Sequence, residues 1–309
     1  MNLALEVSSP ISITCPQSKS KTKIPKEIPH LSNPTSYLIP PISLFFVAVK
    51  SPESFAVFVL VMTNGSHSGN ASNTFEAFYE GWLVRQEHFL DELLSAQQTI
   101  DEARDEDLRD LVSRVLFHYQ QYYDEKSRLG QRDVLLVFSP TWYTSYERSL
   151  LWIAGYKPGI VFRLVTESVP DLSDQQRVRI ARLREATRVE ERALNDKLAK
   201  IHESVAAPQF MDVVRRYGRA GHGEIVEDDA VIKSLKSALE TVVENANLLR
   251  TTMATKLVDL LSSGQAVRFL TAVMQFQLKI RSLGLERDAE KQRETSGGGG
   301  GWSPIGSRW

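Results

Sequence analysis

From residue 74 onward the apolar positions recur at three- and four-residue steps and almost never alternate, which is the signature of amphipathic helices. The first stripe runs Phe75, Phe78, Trp82, Gln86, Phe89 and Leu93, widened by Leu83, Leu90 and Leu94, with Asn73 or Thr74 placed as its N-cap. A second runs Leu108, Leu111, Val112, Val115, Leu116, Tyr119 and Tyr122, and Asp105–Asp107 put negative charge where the helix dipole favours it. Val134–Phe138 is a short apolar segment closed by Ser139-Pro140. A helix over Ser145–Ile153 ends near Gly155, and Lys157-Pro158-Gly159 is a turn leading into a helix over Ile160–Val165. Ser173-Asp174-Gln175-Gln176 has the capping-box spacing. The helix behind it repeats Ile180, Leu183, Thr187, Glu190, Leu194, Leu198, Ile201 and Val205 until Pro208 breaks it. Gly218–Gly223 reads as a loop. Another long stripe follows over Val231, Leu235, Leu239, Val242, Ala246, Leu249, Met253, Leu257 and Leu260, and a last helix over Gln265–Leu283 stops at Gly284.

The pattern predicts an all-α fold: an antiparallel helical bundle with long helices over residues 74–290, after a disordered leader (1–73) and before a flexible Gly-rich tail (291–309). Within the leader, residues 1–61 show no helical period. Their two apolar runs, Ile42–Val49 and Phe55–Val61, are split by Lys50-Ser51-Pro52-Glu53-Ser54, which argues against a membrane helix. An upstream extension ahead of a true start at Met62, a disordered leader and a plastid transit peptide all fit this segment, and the helical body is expected to fold without it.

The 309 residues are 42% hydrophobic and 24% charged, an ordinary globular composition. A formal net charge of -1 gives the chain as a whole no basic nucleic-acid footprint. Cys15 is the sole cysteine, so neither an intrachain disulfide nor a Cys-ligated zinc can form. His88 and Glu92 share a helix face without a third ligand in register, and no metal or catalytic site is expected. Arg177, Arg179, Arg182, Arg184, Arg188 and Arg192 could meet an acidic partner or calmodulin. However, Glu185, Glu190, Glu191 and Asp196 interleave with them, as on a solvated, salt-bridged face. The aromatic cluster Phe138, Trp142, Tyr143, Tyr146, Trp152, Tyr156 and Phe162 reads as core.

Three blocks carry a family resemblance. They are Phe75-x-x-Phe78-x-x-x-Trp82-Leu83-x-x-Gln86; His118-Tyr119-Gln120-x-Tyr122-Tyr123-x-x-Lys126; and Phe138-Ser139-Pro140-x-Trp142 with Glu147-Arg148-x-x-Leu151-Trp152-Ile153-x-Gly155-Tyr156-Lys157-Pro158 and Phe162-Arg163-Leu164. Together they resemble the plant Delay-of-Germination domain, found in seed-dormancy proteins and C-terminal to the basic zipper of TGA-type transcription factors, with this chain closer to the non-zipper branch. The resemblance implies non-enzymatic regulation in the nucleus and cytoplasm, and the family-motif core would be Trp142, Glu147, Arg148, Trp152, Gly155, Pro158 and Arg163. It implies binding of type 2C protein phosphatases of abscisic-acid signalling through Phe75, Phe78, Trp82, Leu83 and Gln86. The alternative is a transcription cofactor that pairs with TGA-type zipper factors. Direct DNA contact is not expected without the zipper, and a homodimer is compatible with either reading. A dormancy member holds haem through C-terminal histidines, but no histidine follows His222 here, so no cofactor is expected.

Overall fold

The computed structural model of the chain describes residues 68–219 and 230–297, and among these residues there are nine helices and no strand. They are α1 (Ser68–Gln98), α2 (Asp105–Arg132), α3 (Val134–Phe138), α4 (Ser145–Ser149), α5 (Ile160–Ser168), α6 (Asp174–Ser204), α7 (Pro208–Arg219), α8 (Ala230–Val258) and α9 (Ser263–Gly297). The all-α fold predicted from periodicity is the fold observed. None of the described helices is long and apolar enough to cross a membrane.

Helix α9 packs on α1, α2, α4 and α5, while α8 packs on α2, α3, α6 and α7. Two apolar clusters result. One gathers Phe75, Tyr79, Trp82, Tyr122, Val137, Leu239 and Ala246; the other gathers Leu93, Val115, Val165, Leu257, Phe269 and Met274. Tyr119 and Leu249 touch both and join them. The acidic first turn of α2 stands where the dipole wants it. Both capping boxes close, Thr144 with Glu147 and Ser173 with Gln176.

Several boundaries differ from the sequence expectation, each for a tertiary reason. Asn73 and Thr74 lie inside α1, not at its cap. The extra turn is anchored by Ser72, whose hydroxyl donates to Glu76 (3.1 Å) and lies 2.9 Å from the Thr141 hydroxyl. Pro208 ends the run of α6 but also opens α7, since a helix's first turn needs no N–H from it. Phe210 and Val213 of α7 are buried, and α7 packs on α8. Gly218 belongs to α7, and residues 220–223 of the expected loop lie outside the described residues, as does the tail beyond 297. On α6 it is Glu191, not Glu190, that turns inward. The exposed arginines of α6 do sit among acids, as at Arg188–Glu185 (3.3 Å) and Arg192–Glu185 (3.9 Å).

Gly284 does not stop α9; the helix runs thirteen residues past it to Gly297. Its role is close approach. A Cβ built there would fall 2.7 Å from Thr144 Cβ and nearer still to Thr144 Oγ1. Thr144 is the N-cap of α4, so the glycine lets α9 lie against that cap. Beside it, Asp288 of α9 accepts hydrogen bonds from the Ser145 amide (3.0 Å) and the Ser145 hydroxyl. Alanine at 284 would gain ~1 kcal/mol of helix propensity against an overpacking cost of ~1–3 kcal/mol. Gly284→Ala is expected to lower the melting temperature, with a net loss of up to about 2 kcal/mol in urea titrations; a more stable variant would show that the close contact relaxes freely.

Candidate functional site

Two cations are buried at the centre of the helical body. Lys126 of α2 is 1% exposed and Arg250 of α8 is 6% exposed, and among the described residues neither makes an ion pair. A buried charge without a counter-ion must be met by oriented dipoles. Here these are mostly backbone carbonyls from residues 152–156. Arg250 donates to Trp152 O (2.5 Å), Ile153 O (2.9 Å) and Tyr156 O (2.8 Å), and Lys126 donates to Ala154 O. Asn247 Oδ1 accepts from both, at 3.2 Å from Lys126 Nζ and 3.0 Å from Arg250 Nη1. Rings complete the shell: Lys126 Nζ lies 5.9 and 5.8 Å from the centroids of Tyr122 and Tyr123, and the Arg250 guanidinium 5.3 Å from that of Trp152.

Pointing successive carbonyls at one cluster requires an unusual backbone. Ile153 (φ 43°) and Ala154 (φ 58°) are both left-handed. Trp152 and Gly155 exchange amide–carbonyl bonds at 2.6 and 3.2 Å, so the segment is a two-residue reversal with the positive φ pattern of a type I′ turn. A β-branched residue at positive φ is a true outlier, and each such residue costs ~1–3 kcal/mol. The two side chains are themselves buried, which adds to the hold of the cations. Gly155 is needed for closeness: a Cβ there would meet the Arg250 guanidinium carbon at 2.9 Å. The next turn is clamped from α6, where Glu191 accepts the Gly159 amide (2.8 Å) and lies 3.4 Å from Lys157 Nζ. The helix expected over Ser145–Ile153 therefore ends at Ser149, because residues 150–156 are bent around Arg250 and Lys126.

A cavity of about 40 Å³ lies between this turn, α1, α2 and α9. Its walls include Gln86, Tyr122, Lys126, Glu147, Tyr156 and Arg281. Gln86 donates to Gln277 Oε1 (2.8 Å), which also accepts from Tyr119 (2.8 Å). Arg281 donates to Glu147 (3.3 Å) and Trp142 O (3.2 Å), and Tyr122 and Tyr143 share a 2.6 Å hydroxyl contact. Burial pushes the Lys126 ammonium well below its ordinary range, reinforced by Arg250, and burial raises the hydroxyls of Tyr122, Tyr143 and Tyr156, which stay protonated.

Of the residues the sequence singled out on α1, Phe75 (4% exposed), Trp82 (4%) and Gln86 (1%) are buried, whereas Phe78 and Leu83 are half-buried. Trp82 lies flat on His118, with centroids 4.5 Å apart and planes 5° from parallel, and donates its indole N–H to His118 O (2.9 Å). In the third block Trp142, Glu147, Gly155 and Pro158 are buried and Trp152 is half-buried, its indole N–H donating to Asn195 (2.8 Å). Arg148 is exposed, and so is Arg163, which pairs with Glu167 (2.9 Å). Lys126, Asn247, Arg250, Arg281 and Gln277 were missed as site residues. A signal was present: Arg250 falls on the stripe of Ala246, Met253 and Leu257, and Lys126 on that of Tyr122 and Leu129, where a charge demands a partner.

No group of three or more His, Cys, Asp or Glu able to hold a metal occurs among the described residues. Haem does not fit His118 or His88. His118 is sandwiched against Trp82 and Phe89 and does not line the cavity, which is far too small for a macrocycle. His88 is a surface partner of Glu92 at 3.3 Å.

The family model described as Seed dormancy control matches residues 89–167, a stretch that holds Lys126, Glu147 and the whole Trp152–Gly159 segment. Protein ZW2 of Arabidopsis thaliana is 38% identical over 223 residues, 70% of this chain and 98% of its own length. Protein RESPONSE TO ABA AND SALT 1 of the same plant is 34% identical over 230 residues, 72% of this chain and 98% of its own. The Arabidopsis transcription factor TGA4 is 30% identical over 236 residues, 74% of this chain but 61% of its own.

Arg250→Lys keeps the charge but not the fork that reaches three carbonyls. With two acceptors left unmet at ~1–3 kcal/mol each, it is expected to lose about 2–6 kcal/mol in urea unfolding; wild-type stability would mean that the turn holds itself. His118 generates a pH dependence. Burial, with Arg85 adding to it, holds its pKa down to about 4, below the ordinary 6.5. The unfolded chain therefore binds a proton that the folded chain refuses between those values. The stability is whole above about 6.5 and declines as pH falls toward 4, by up to ~3 kcal/mol from this residue. In His118→Phe the loss between pH 7 and 4.5 should be clearly smaller than in the wild type, measured by the same titrations; equal slopes would remove His118 as the source.

Proposed function

The chain belongs to the seed dormancy control family, and on that footing we propose that it is a non-enzymatic regulator that binds type 2C protein phosphatases in abscisic-acid signalling. A relative named for its response to abscisic acid and salt, similar along nearly its whole length, supports the hormone context. What the buried polar groups do supports a non-catalytic role. The cations hold carbonyls, Glu147 and Glu191 hold turns, and the tyrosine hydroxyls remain neutral.

The observation that carries the reading is the outer edge of α1. Its inner face is spent on the core, yet Val84 is 68% exposed beside half-buried Leu83, with half-buried Phe78 on the same helix. Phe75, Trp82 and Gln86 set the position of the helix; Leu83 with Val84 offers the apolar contact, and Phe78 lies on the other flank of the buried face. A second reading is supported by TGA4, which matches 74% of this chain: a nuclear cofactor working with zipper-bearing relatives.

Affinity capture from seed extract with three variants separates the roles. Val84→Asp and Leu83→Ala should fold and lose captured phosphatase by tenfold or more, as removal of an interface anchor commonly does. Trp82→Ala should lose about 3–5 kcal/mol of stability, as a core tryptophan does. Undiminished capture by both folded variants removes α1 from the interface. Capture of zipper factors without phosphatases favours the second reading.

A further inference from the structure

We infer that the cavity between α1, α2, α9 and the Trp152–Tyr156 turn binds a small monovalent anion of chloride or nitrate size. The first reason is charge. Of the cations on its walls, Arg281 is neutralised by Glu147 at 3.3 Å, but Lys126 has no counter-ion among the described residues. The second is an excess of donors. Lysine offers three N–H groups, and Lys126 has two acceptors, Ala154 O and Asn247 Oδ1. In the Tyr122–Tyr143 contact only one hydroxyl proton lies between the oxygens, which leaves the other hydroxyl free to donate elsewhere. The Tyr156 hydroxyl is buried and has no hydrogen-bond partner among the described residues. Against these, among the described residues, stand Gln86 Oε1 and the oxygen of the Tyr156 hydroxyl itself, which bridging water would satisfy, and the Glu147 carboxylate, which is paired with Arg281. A site with more donors than acceptors, beside a lysine that forms no ion pair among the described residues, favours an acceptor with negative charge, which would in turn hold the lysine protonated.

Size narrows the ligand. The ≈ 40 Å³ cavity has room for about two or three waters or an anion of a few heavy atoms. A divalent oxyanion would bring one charge more than Lys126 can meet. Half-buried Leu83, Tyr123 and Leu278 line part of the wall. Burial and Arg250 disfavour the charged form of Lys126; a bound anion would offset both.

Calorimetric melting of the full chain in sodium chloride and sodium nitrate tests this, with sodium gluconate, too large to enter, holding ionic strength constant. A melting temperature that rises and saturates in the millimolar range for either small anion is the expected result. Tyr156→Phe removes the unpartnered hydroxyl with little disturbance and should shift half-saturation at least tenfold higher. Chloride-35 linewidths should broaden with wild type and much less with the variant. A rise that tracks total salt equally in gluconate, no saturable rise at all, or identical behaviour of Tyr156→Phe would overturn the assignment and leave the cavity to water.

Discussion

Two buried basic side chains that form no ion pair among the described residues dictate the middle of this protein. Removing Lys126 and Arg250 from water is tolerable only if oxygen dipoles replace the lost hydration. Four consecutive helical turns could not supply them, because helix carbonyls are already engaged along the axis. The carbonyls must come from irregular backbone, and residues 152–156 are that backbone. Once they face α2 and α8, the left-handed conformations at Ile153 and Ala154, the need for Gly155 and the early end of α4 all follow. The electrostatics of the interior thus determines a backbone that local preference would reject.

Helix positions and buried faces were largely legible in the sequence, because burial along a helix writes itself as a 3.6-residue period. The acidic start of α2 and the Ser173 capping box were readable for the same local reason. What escaped depended on partners far along the chain. Gly284 has the local look of a stop, but Thr144 decides its meaning from 140 residues away. Glu190 and Glu191 are indistinguishable by type, and only the Gly159 amide selects the second. Of the site, the motif residues Trp142, Glu147, Trp152 and Gly155 were visible as a pattern, and Lys126 stood in a family block, whereas Arg250 stood unremarked in an apolar stripe.

Helix α1 divides its residues between two tasks. Its aromatic face is consumed by stacking against α2, where Trp82 covers His118 and excludes water from it. An aromatic stripe in sequence does not say which of its members remain accessible; the width of the stripe does. A face broader than one seam leaves an edge, here at Leu83 and Val84, while Gln86 is drawn inward by Gln277. Interior order and surface display are therefore coupled through a single rigid element.

The turn at Trp152–Gly155 also has a history in time. Its strained conformation is held from Arg250, whose bonds to it span 94 to 98 residues. Contacts of such separation form only after the chain between them exists. At roughly 5–20 residues per second of synthesis, the segment waits on the order of 5–20 seconds after emerging before its guanidinium partner arrives. Through that interval Lys126 is the only one of the two cations present, and Ile153 is free to take the ordinary conformations its side chain prefers. This turn would then be among the last parts of the domain to become native, made correct by a helix translated long after it.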